Sequence, residues 1–342
     1  MKLLFMACLS PKTGNCTTAE RIREHIEAAG HTCVLRDTAD FKNPEDVADL
    51  IAEEKYEGAL AIHLYKSGRL LLDSCIPFGI VFGGTDINED VKGETKRPVM
   101  GQVLQKARFA VAFSNRLKEE AEAFWPFHGS KIYVQPQGIE TKAGTCFNWR
   151  SFLRRTGIDN ENVDDLHVFV LVCGLRRVKD PLYLVNVFSE WHVEDPSVYL
   201  IIIGPEIDPL FAKEVELNVK RARGVFLAPE RPQEELHAAM RRSFALVNSS
   251  VSEGMSAAVL EAMHLGVPVL ARNIPGNAAI VIHEDTGLLF SNPQEFIELS
   301  KRLIREPALR EQIVCNARAY VREQHSRDKE RDTYQQLLQH LH

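Results

Sequence analysis

The sequence predicts an α/β protein of two doubly wound domains, each a parallel sheet with helices on both faces. Three observations carry this reading. Strand and helix patterns alternate along nearly all of the 342 residues, which is the rhythm of crossover-connected parallel strands. The strand candidates are short continuous apolar runs, as strands buried on both faces require. The alternation is interrupted once, by a polar, less regular segment that splits the chain into two runs of domain size.

Taken in order, KLLFMAC is a strand and TTAERIREHIEAAG a helix stopped by Gly30. TCVLRD is a strand, EDVADLIAEE a helix, and GALAIHL and FGIVFG are strands. Helical pattern resumes at PVMGQVLQKA, followed by the strand FAVAFS, the helix NRLKEEAEAFW and the strand and turn KIYVQPQG. The interrupting segment is IETKAGTCFNWRSFLRRTGIDNENVDD, with one short amphipathic piece. Beyond it come the strand HVFVLVCG, the helix DPLYLVNVFSEWH and the strands VYLIIIG, GVFLAP, FALVNSS, VPVLARN and GLLFS. Between the third and fourth of these five, SAAVLEAMHLG reads as a helix ended by Gly266, and from Pro293 the chain reads as helical to its end. The expected division is 1–150, a linker at 151–165, 166–322, and a C-terminal helix at 323–342. Ligands in such folds bind outside the carboxyl ends of the strands, so a cleft between the domains is the expected site.

Composition narrows the function classes. At 45% hydrophobic and 26% charged the chain is that of a globular protein with real cores. A net charge of −6 with no long basic block argues against a nucleic-acid partner. No apolar run approaches the roughly 18 residues that span a bilayer. MKLLFMACLS is a first buried strand on this reading, because cleavage there would destroy a strand–loop–helix unit; secretion is the alternative if residues 1–10 act as a signal peptide. The seven cysteines are odd in number and form no CxxC pair, which fits free thiols in the cytoplasm. The sequons at Asn15 and Asn248 fall beside the loops expected to be functional, so both are read as unused. No D-x-D, HxxxH or Cys/His cluster indicates a metal.

Two stretches carry chemistry. In SEGMSAAVLEAM, an almost wholly apolar helix has Glu261 in its second turn and Glu253 in the loop before it. A helix N-terminus offers unpaired N–H groups and partial positive charge. Gly254 allows close approach to the backbone, and Met255 and Ser256 add donors, an arrangement that suits a diphosphate. A carboxylate at Glu261 can accept both hydroxyls of a ribose, and one at Glu253 the hydroxyls of a second sugar. In CGLRRVKDPLYLVNVF, the strand ends at Gly174 and is followed by Arg176, Arg177 and Lys179. Cations there can neutralise a leaving diphosphate without a metal.

Residues 168–290 resemble the C-terminal domain of group 1 glycosyltransferases, of the retaining family 4 with the GT-B fold. Glu253 and Glu261 match the family's E-x7-E element, with EGMSAAVLEAMHLGVPVLA in register and a TGLL-type segment at Asp285 to Phe290. Weaker echoes run through the first half: Gly30–His31 before a strand, FGGTD at 82–86, FAVAFS at 109–114 and VQPQG at 134–138. The resemblance implies two Rossmann-like domains facing a cleft, with the C-terminal helix crossing back to the first. It implies that Glu261 binds the nucleotide ribose, Glu253 contacts the donor sugar, and Lys179 binds the diphosphate. The family arginine sits directly after the glycine, where this chain has Leu175, so Arg176 or Arg177 must substitute. The family histidine before the Gly-Thr-Asp turn is also absent. His63, at the end of GALAIHL, is the nearest replacement, and Asp86 is an acceptor-side or turn residue. Gly14, in SPKTGN, matches the glycine-bearing first loop.

The implied reaction moves a sugar from a nucleoside diphosphate sugar to the hydroxyl of a soluble acceptor of unknown type, with no cofactor. The mixed or acidic charge of TTAERIREHIEAAG and NRLKEEAEAFW argues against an anionic membrane surface. The alternatives are a nucleotide-sugar-binding protein without turnover and a sugar-nucleotide epimerase on the same fold.

Overall fold

The computed structural model describes residues 1–10 and 14–342. It divides into two compact units, Met1–Gly138 with His325–His342, and Ile139–Gln324. Six strands build the sheet of the first unit: β1 (Lys2–Ala7), β2 (Thr32–Asp37), β3 (Gly58–Ile62), β4 (Phe78–Val81), β5 (Phe109–Ala112) and β6 (Ile132–Val134). All pair in parallel in the order β2-β1-β3-β4-β5-β6. Six more build the second: β7 (His167–Val172), β8 (Val198–Ile203), β9 (Val225–Ala228), β10 (Ala245–Asn248), β11 (Val269–Arg272) and β12 (Leu288–Phe290). They are again parallel, in the order β12-β11-β10-β7-β8-β9. The strands are where the apolar runs place them. β3, β4, β5 and β10 are buried at every position, because helices cover both faces of a parallel sheet. The signal-peptide candidate contains β1, which pairs with β2 on one side and β3 on the other.

The linker expected at 151–165 is not one. Residues Trp149–Thr156 form a helix, opened by Asn148, whose side chain accepts from the Ser151 N–H at 2.8 Å, and closed by Gly157 at φ 109°. Trp149, Phe152 and Leu153 fall on one face at i, i+3 and i+4 and are buried in the core beneath β7, β8 and β10. The charged and polar neighbours Arg150, Ser151, Arg154, Arg155 and Thr156 hide that face in the sequence. The division therefore lies at 138/139, and the segment belongs to the second unit. Helices Pro209–Arg221 and Gln233–Arg242 are two more that the sequence reading left unassigned. The helix expected from Asp180 starts later, at Val185–Glu194, because Asp180 takes a left-handed φ of 43° that no helix continues.

The C-terminal segment divides at 324/325. Helix Pro307–Gln324 packs in the second unit, and helix Arg327–Leu338 in the first, against helix Gly14–Ala28. There Tyr334, Leu337 and Leu338 join Ile22 and Ile26 in one apolar cluster. At its centre Glu330, fully buried, accepts from Arg21 Nε (2.9 Å) and Nη2 (3.2 Å) and pairs with His25 Nε2 (2.9 Å).

Candidate active site

In the second sheet the chain runs from β7 outward through β8 and β9, then returns to place β10 on the other side of β7. The crevice outside the carboxyl ends of β7 and β10 is thus the switch point at which doubly wound sheets bind ligands. The two loops that leave these strands are stitched together. Val251 N–H donates to the Val178 carbonyl (2.9 Å), and Ser249 Oγ to the carbonyls of Lys179 (3.2 Å) and Asp180 (2.9 Å). Arg272, at the end of β11, braces both loops by donating to Asp180 Oδ2 (3.1 Å) and the Ser249 carbonyl (3.3 Å). Its guanidinium also lies 3.9 Å from the Tyr183 ring centroid.

This stitching brings the two chemistry-bearing stretches into contact. Lys179 Nζ donates to Glu253 Oε1 at 2.6 Å, with side-chain exposures of 18% and 7%. Asn248 Nδ2 (3.2 Å) and Ser250 Oγ (2.7 Å) donate to the same oxygen. Three donors converge on Oε1, which leaves Oε2 for a ligand. Asn248 is itself fixed by Asn277 Nδ2 (3.0 Å), and it is buried, so its sequon is closed in this fold. The close approach depends on Gly276, where a Cβ would sit 2.0 Å from the Glu253 carbonyl oxygen. Gly276→Ala is therefore expected to push the Glu253 loop away and destabilise the second unit by about 1–3 kcal/mol, measurable by denaturant unfolding.

Helix Ala257–Leu265 starts beside this carboxylate. Its N-cap, Ser256, makes no capping bond, because Ser256 Oγ instead accepts from Asn248 Nδ2 at 3.3 Å. Among the described residues the first-turn N–H groups therefore have no side-chain partner, and exposed Gly254 leaves their approach open. One turn on, Glu261 is 14% exposed at its side chain while Val259, Leu260, Ala262 and Met263 are buried. Its oxygens are held from helix Gln233–Arg242: Gln233 Nε2 donates to Oε1 (3.1 Å), and His237 Nε2 lies 3.5 Å from Oε2.

The basic residues after β7 separate by position. Leu175 is buried and bonded to the loop after β8 through its N–H to the Pro205 carbonyl (2.8 Å). Arg177 is engaged with that side: Nη2 meets Glu214 Oε2 at 2.9 Å, and its guanidinium lies 5.0 Å from the Phe211 ring. Arg176 is exposed and makes none of these contacts. Gly174 is tight for packing, since a Cβ would lie 2.8 Å from Ile207 Cγ1. Burial pushes the adjacent Cys173 thiol up to about 12, which keeps it protonated and inert.

The first sheet has its own switch point, between β1 and β3, and His63 stands there at the end of β3 with a left-handed φ of 78°. Asn15 Nδ2 meets its Nε2 at 3.0 Å, and Asp86 Oδ1 lies 3.6 Å from its Nδ1. Asp86 is fully buried, and its Oδ2 accepts the N–H groups of Gly83 (2.8 Å) and Leu64 (3.0 Å). Of its two readings, acceptor-side or turn residue, this geometry is that of a turn residue behind His63. The missing histidine of the Gly-Thr-Asp turn also has a physical counterpart. A Cβ on Gly83 would sit 1.9 Å from His63 Cε1 and Nδ1, so the His63 ring fills the space a side chain at 83 would take. Gly14 opens helix Gly14–Ala28 with none of the described residues near its missing Cβ; residues 11–13 of its loop lie outside the described residues.

His63, Asp86 and Asp90 are the trio among the described residues spaced for a metal, with ligand atoms within 4.8 Å. Asp90 is already neutralised: Lys96 Nζ sits 2.6 Å from Oδ1 and Thr85 Oγ1 3.1 Å from Oδ2. Burial pushes the Asp90 carboxyl up, but these bonds outweigh it and hold it below the ordinary aspartate value. An ammonium in that place fits a hydrogen-bonded cluster better than a divalent cage.

A family model described as "Glycosyl transferases group 1" matches residues 158–320. A Xenopus tropicalis protein, "Glycosyltransferase 1 domain-containing protein 1", is 59% identical over 341 residues, covering 100% of this chain and 98% of that one. The chain belongs to the group 1 glycosyltransferases. A "D-inositol 3-phosphate glycosyltransferase" of Rhodococcus erythropolis is 26% identical over 213 residues, 58% of this chain and 47% of that relative. Among solved structures, Anabaena Alr3699/HepE in complex with UDP-glucose superposes with a TM-score of 0.79 at 16% identity, covering 99% of both chains. Sucrose-phosphate synthase from Thermosynechococcus elongatus does so at 0.77 and 16%, over 100% of this chain and 99% of that one. These likenesses establish the GT-B fold.

In this group 1 glycosyltransferase the structure brings Lys179, Glu253, Gly254, Met255, Ser256 and Glu261 into one neighbourhood and turns Arg177 toward the helix after β8. Sequence reasoning missed Asn248, Ser250 and Gly276 around Glu253, and Gln233 and His237 around Glu261. The last pair had a signal: a Gln and a His at i, i+4 share one face of a helix. No helix among the described residues is long and apolar enough to cross a membrane.

Proposed function

We propose that this glycosyltransferase moves a sugar from a nucleoside diphosphate sugar to an acceptor hydroxyl, without a metal and with retention at the anomeric carbon. The observation that carries the reading is the Lys179–Glu253 pair at the β7/β10 switch point, beside an uncapped helix start. Glu261 takes the ribose hydroxyls. Glu253 Oε2 takes a hydroxyl of the donor sugar. Lys179, Arg176 and the first-turn N–H groups hold the diphosphate and stabilise the charge that develops as it leaves, the work a cation would otherwise do. The engaged state of Arg177 favours Arg176 as the second cation. Retention rests on the family resemblance; the two glutamates act as binders and are not an acid/base pair.

Uridine diphosphate sugars are the first donors to try, since HepE was solved with UDP-glucose. The first unit takes the acceptor on this reading, with His63, buried between Asn15 and Asp86, as its candidate histidine. Cytoplasmic residence is supported by the seven free thiols, and a soluble acceptor by the mixed or acidic charge of TTAERIREHIEAAG and NRLKEEAEAFW. A second reading, donor binding without turnover, is motivated by Leu175 and Gly83 at the family's arginine and histidine positions. It predicts nucleotide-sugar binding with no transfer to any acceptor.

Glu261→Ala tests the site. Loss of charged hydrogen bonds worth about 1.5–3 kcal/mol should weaken nucleotide affinity by roughly tenfold or more. Unchanged affinity in a folded variant would remove Glu261 from the site.

A further inference from the structure

The ribose carboxylate is not left to find its own rotamer. Glu261 is held from helix Gln233–Arg242 by two side chains one turn apart, Gln233 on Oε1 (3.1 Å) and His237 facing Oε2 (3.5 Å). Gln233 is exposed, but His237 is 1% exposed. A buried imidazole must satisfy both nitrogens, and the other nitrogen shows how it does so. The Lys142 N–H points at His237 Nδ1 from 3.1 Å. The same nitrogen lies 3.3 Å from the Lys142 carbonyl, and Gln233 Nε2 lies 3.2 Å from Nε2. With the proton on Nε2 the ring donates toward Glu261 and Nδ1 accepts from the Lys142 N–H; with the proton on Nδ1 the ring donates to the Lys142 carbonyl and Nε2 accepts from the Gln233 amide, which itself donates to Glu261. In both tautomers the ring is held in place beside the Glu261 carboxylate.

The surroundings keep the ring in place. Gly144 N–H donates to the Glu234 carbonyl (2.9 Å), and Lys142 Nζ pairs with Glu234 (2.7 Å), so residues 142–144 are fixed along the helix that carries His237. On the neighbouring helix, His264 Nδ1 meets Thr141 Oγ1 at 2.7 Å. Burial, with Arg322 and Arg318 nearby, lowers His264 below the ordinary histidine value, which keeps it neutral beside the ribose carboxylate.

We propose that His237 is a positioning residue of the donor site. Its ring and the Gln233 amide, which contact each other at 3.2 Å, hold one side of the Glu261 carboxylate, so that the remaining lone pairs project together toward the two hydroxyls of a ribose. The sequence alone does not mark His237, which sits inside the unremarkable helix QEELHAAMRR. This inference rests on the assignment of Glu261 to the ribose.

The readout is ribose preference: the affinity for a nucleoside diphosphate relative to its 2′-deoxy counterpart, by calorimetry, with UDP, GDP and ADP as probes. Wild type should prefer the ribose form by roughly tenfold, and His237→Ala should reduce this to within about threefold, since a loosely held carboxylate loses the second hydroxyl first. His237→Gln, which places an amide N–H where Nε2 stands, should restore the preference. His237→Asn, which reaches only as far as Nδ1, should not. In a Glu261→Ala background, His237→Ala should add nothing. Full ribose preference in folded His237→Ala, or rescue by Asn and not by Gln, overturns the inference while leaving Glu261 in place. If Glu261→Ala itself keeps the preference, or if none of the three probes binds wild type, the donor-site reading falls and this inference with it.

Discussion

Lys179→Ala is expected to lower kcat by about 10²–10³-fold, the cost of removing one preorganised donor from a site of developing charge, while donor affinity falls by much less. The reason lies in the ion pair. With no diphosphate present, Lys179 and Glu253 neutralise each other at 2.6 Å, and each is mostly shielded from water. A diphosphate arriving at the uncapped helix start competes for the ammonium. On the proposed reading the attraction would grow as the sugar bond breaks and negative charge moves onto the leaving phosphate, so Lys179 would interact more strongly with the transition state than with the bound donor. Truncation also leaves Glu253 with Asn248 and Ser250 as its donors among the described residues. Lys179→Arg should recover part of the loss by keeping the charge. Steady-state kinetics beside donor titration separate the two effects. A pure affinity loss, with kcat intact, would make Lys179 an anchor for the ground state only.

Glu330→Ala should destabilise the first unit by about 3–5 kcal/mol, because it strands Arg21 and His25 around a buried vacancy. The cluster holds the C-terminal helix Arg327–Leu338 to helix Gly14–Ala28, so fluorescence- or exchange-detected opening should start there. The same carboxylate predicts a pH dependence. Burial pushes Glu330 up, but the His25 hydrogen bond and the charge and hydrogen bonds of Arg21 outweigh it, so its pKa lies below the ordinary glutamate value. A group that binds its proton less readily when folded contributes stability above its unfolded pKa and loses it as pH falls through the folded one. Wild-type stability should therefore fall more steeply below about pH 5 than that of Glu330→Gln, and parallel acid profiles would contradict this.

The strands were legible because a strand buried on both faces has few polar positions: FAVAFS and VYLIIIG announce themselves. The helix Trp149–Thr156 was less so, since WRSFLRRT shows its apolar face only when read at helical spacing. The unit boundary at 138/139 was illegible for a related reason: long-range packing sets it, and the segment's polar composition does not. At the site, Glu253, Glu261 and Lys179 stood out as charges in apolar surroundings. Their direct contact did not, because it depends on which strands lie side by side, and β7 and β10 are neighbours despite two intervening strands. The two readings of Asp86 stayed open for the same reason. Its partner His63 is 23 residues away and is turned toward it by a left-handed backbone angle. Arg176 and Arg177, equivalent in sequence, were separated only by Glu214 and Phe211 on the helix after β8.

The central claim is that the β7/β10 switch point holds a nucleoside diphosphate sugar by protein groups alone. The most direct measurement is calorimetric titration of the folded protein with UDP, GDP and ADP sugars in the presence of a chelator. The account predicts clear binding of at least one sugar nucleotide, unaffected by the chelator and weakened by Glu261→Ala. Absence of binding by all of them, or binding that appears only when a divalent cation is restored, would contradict it.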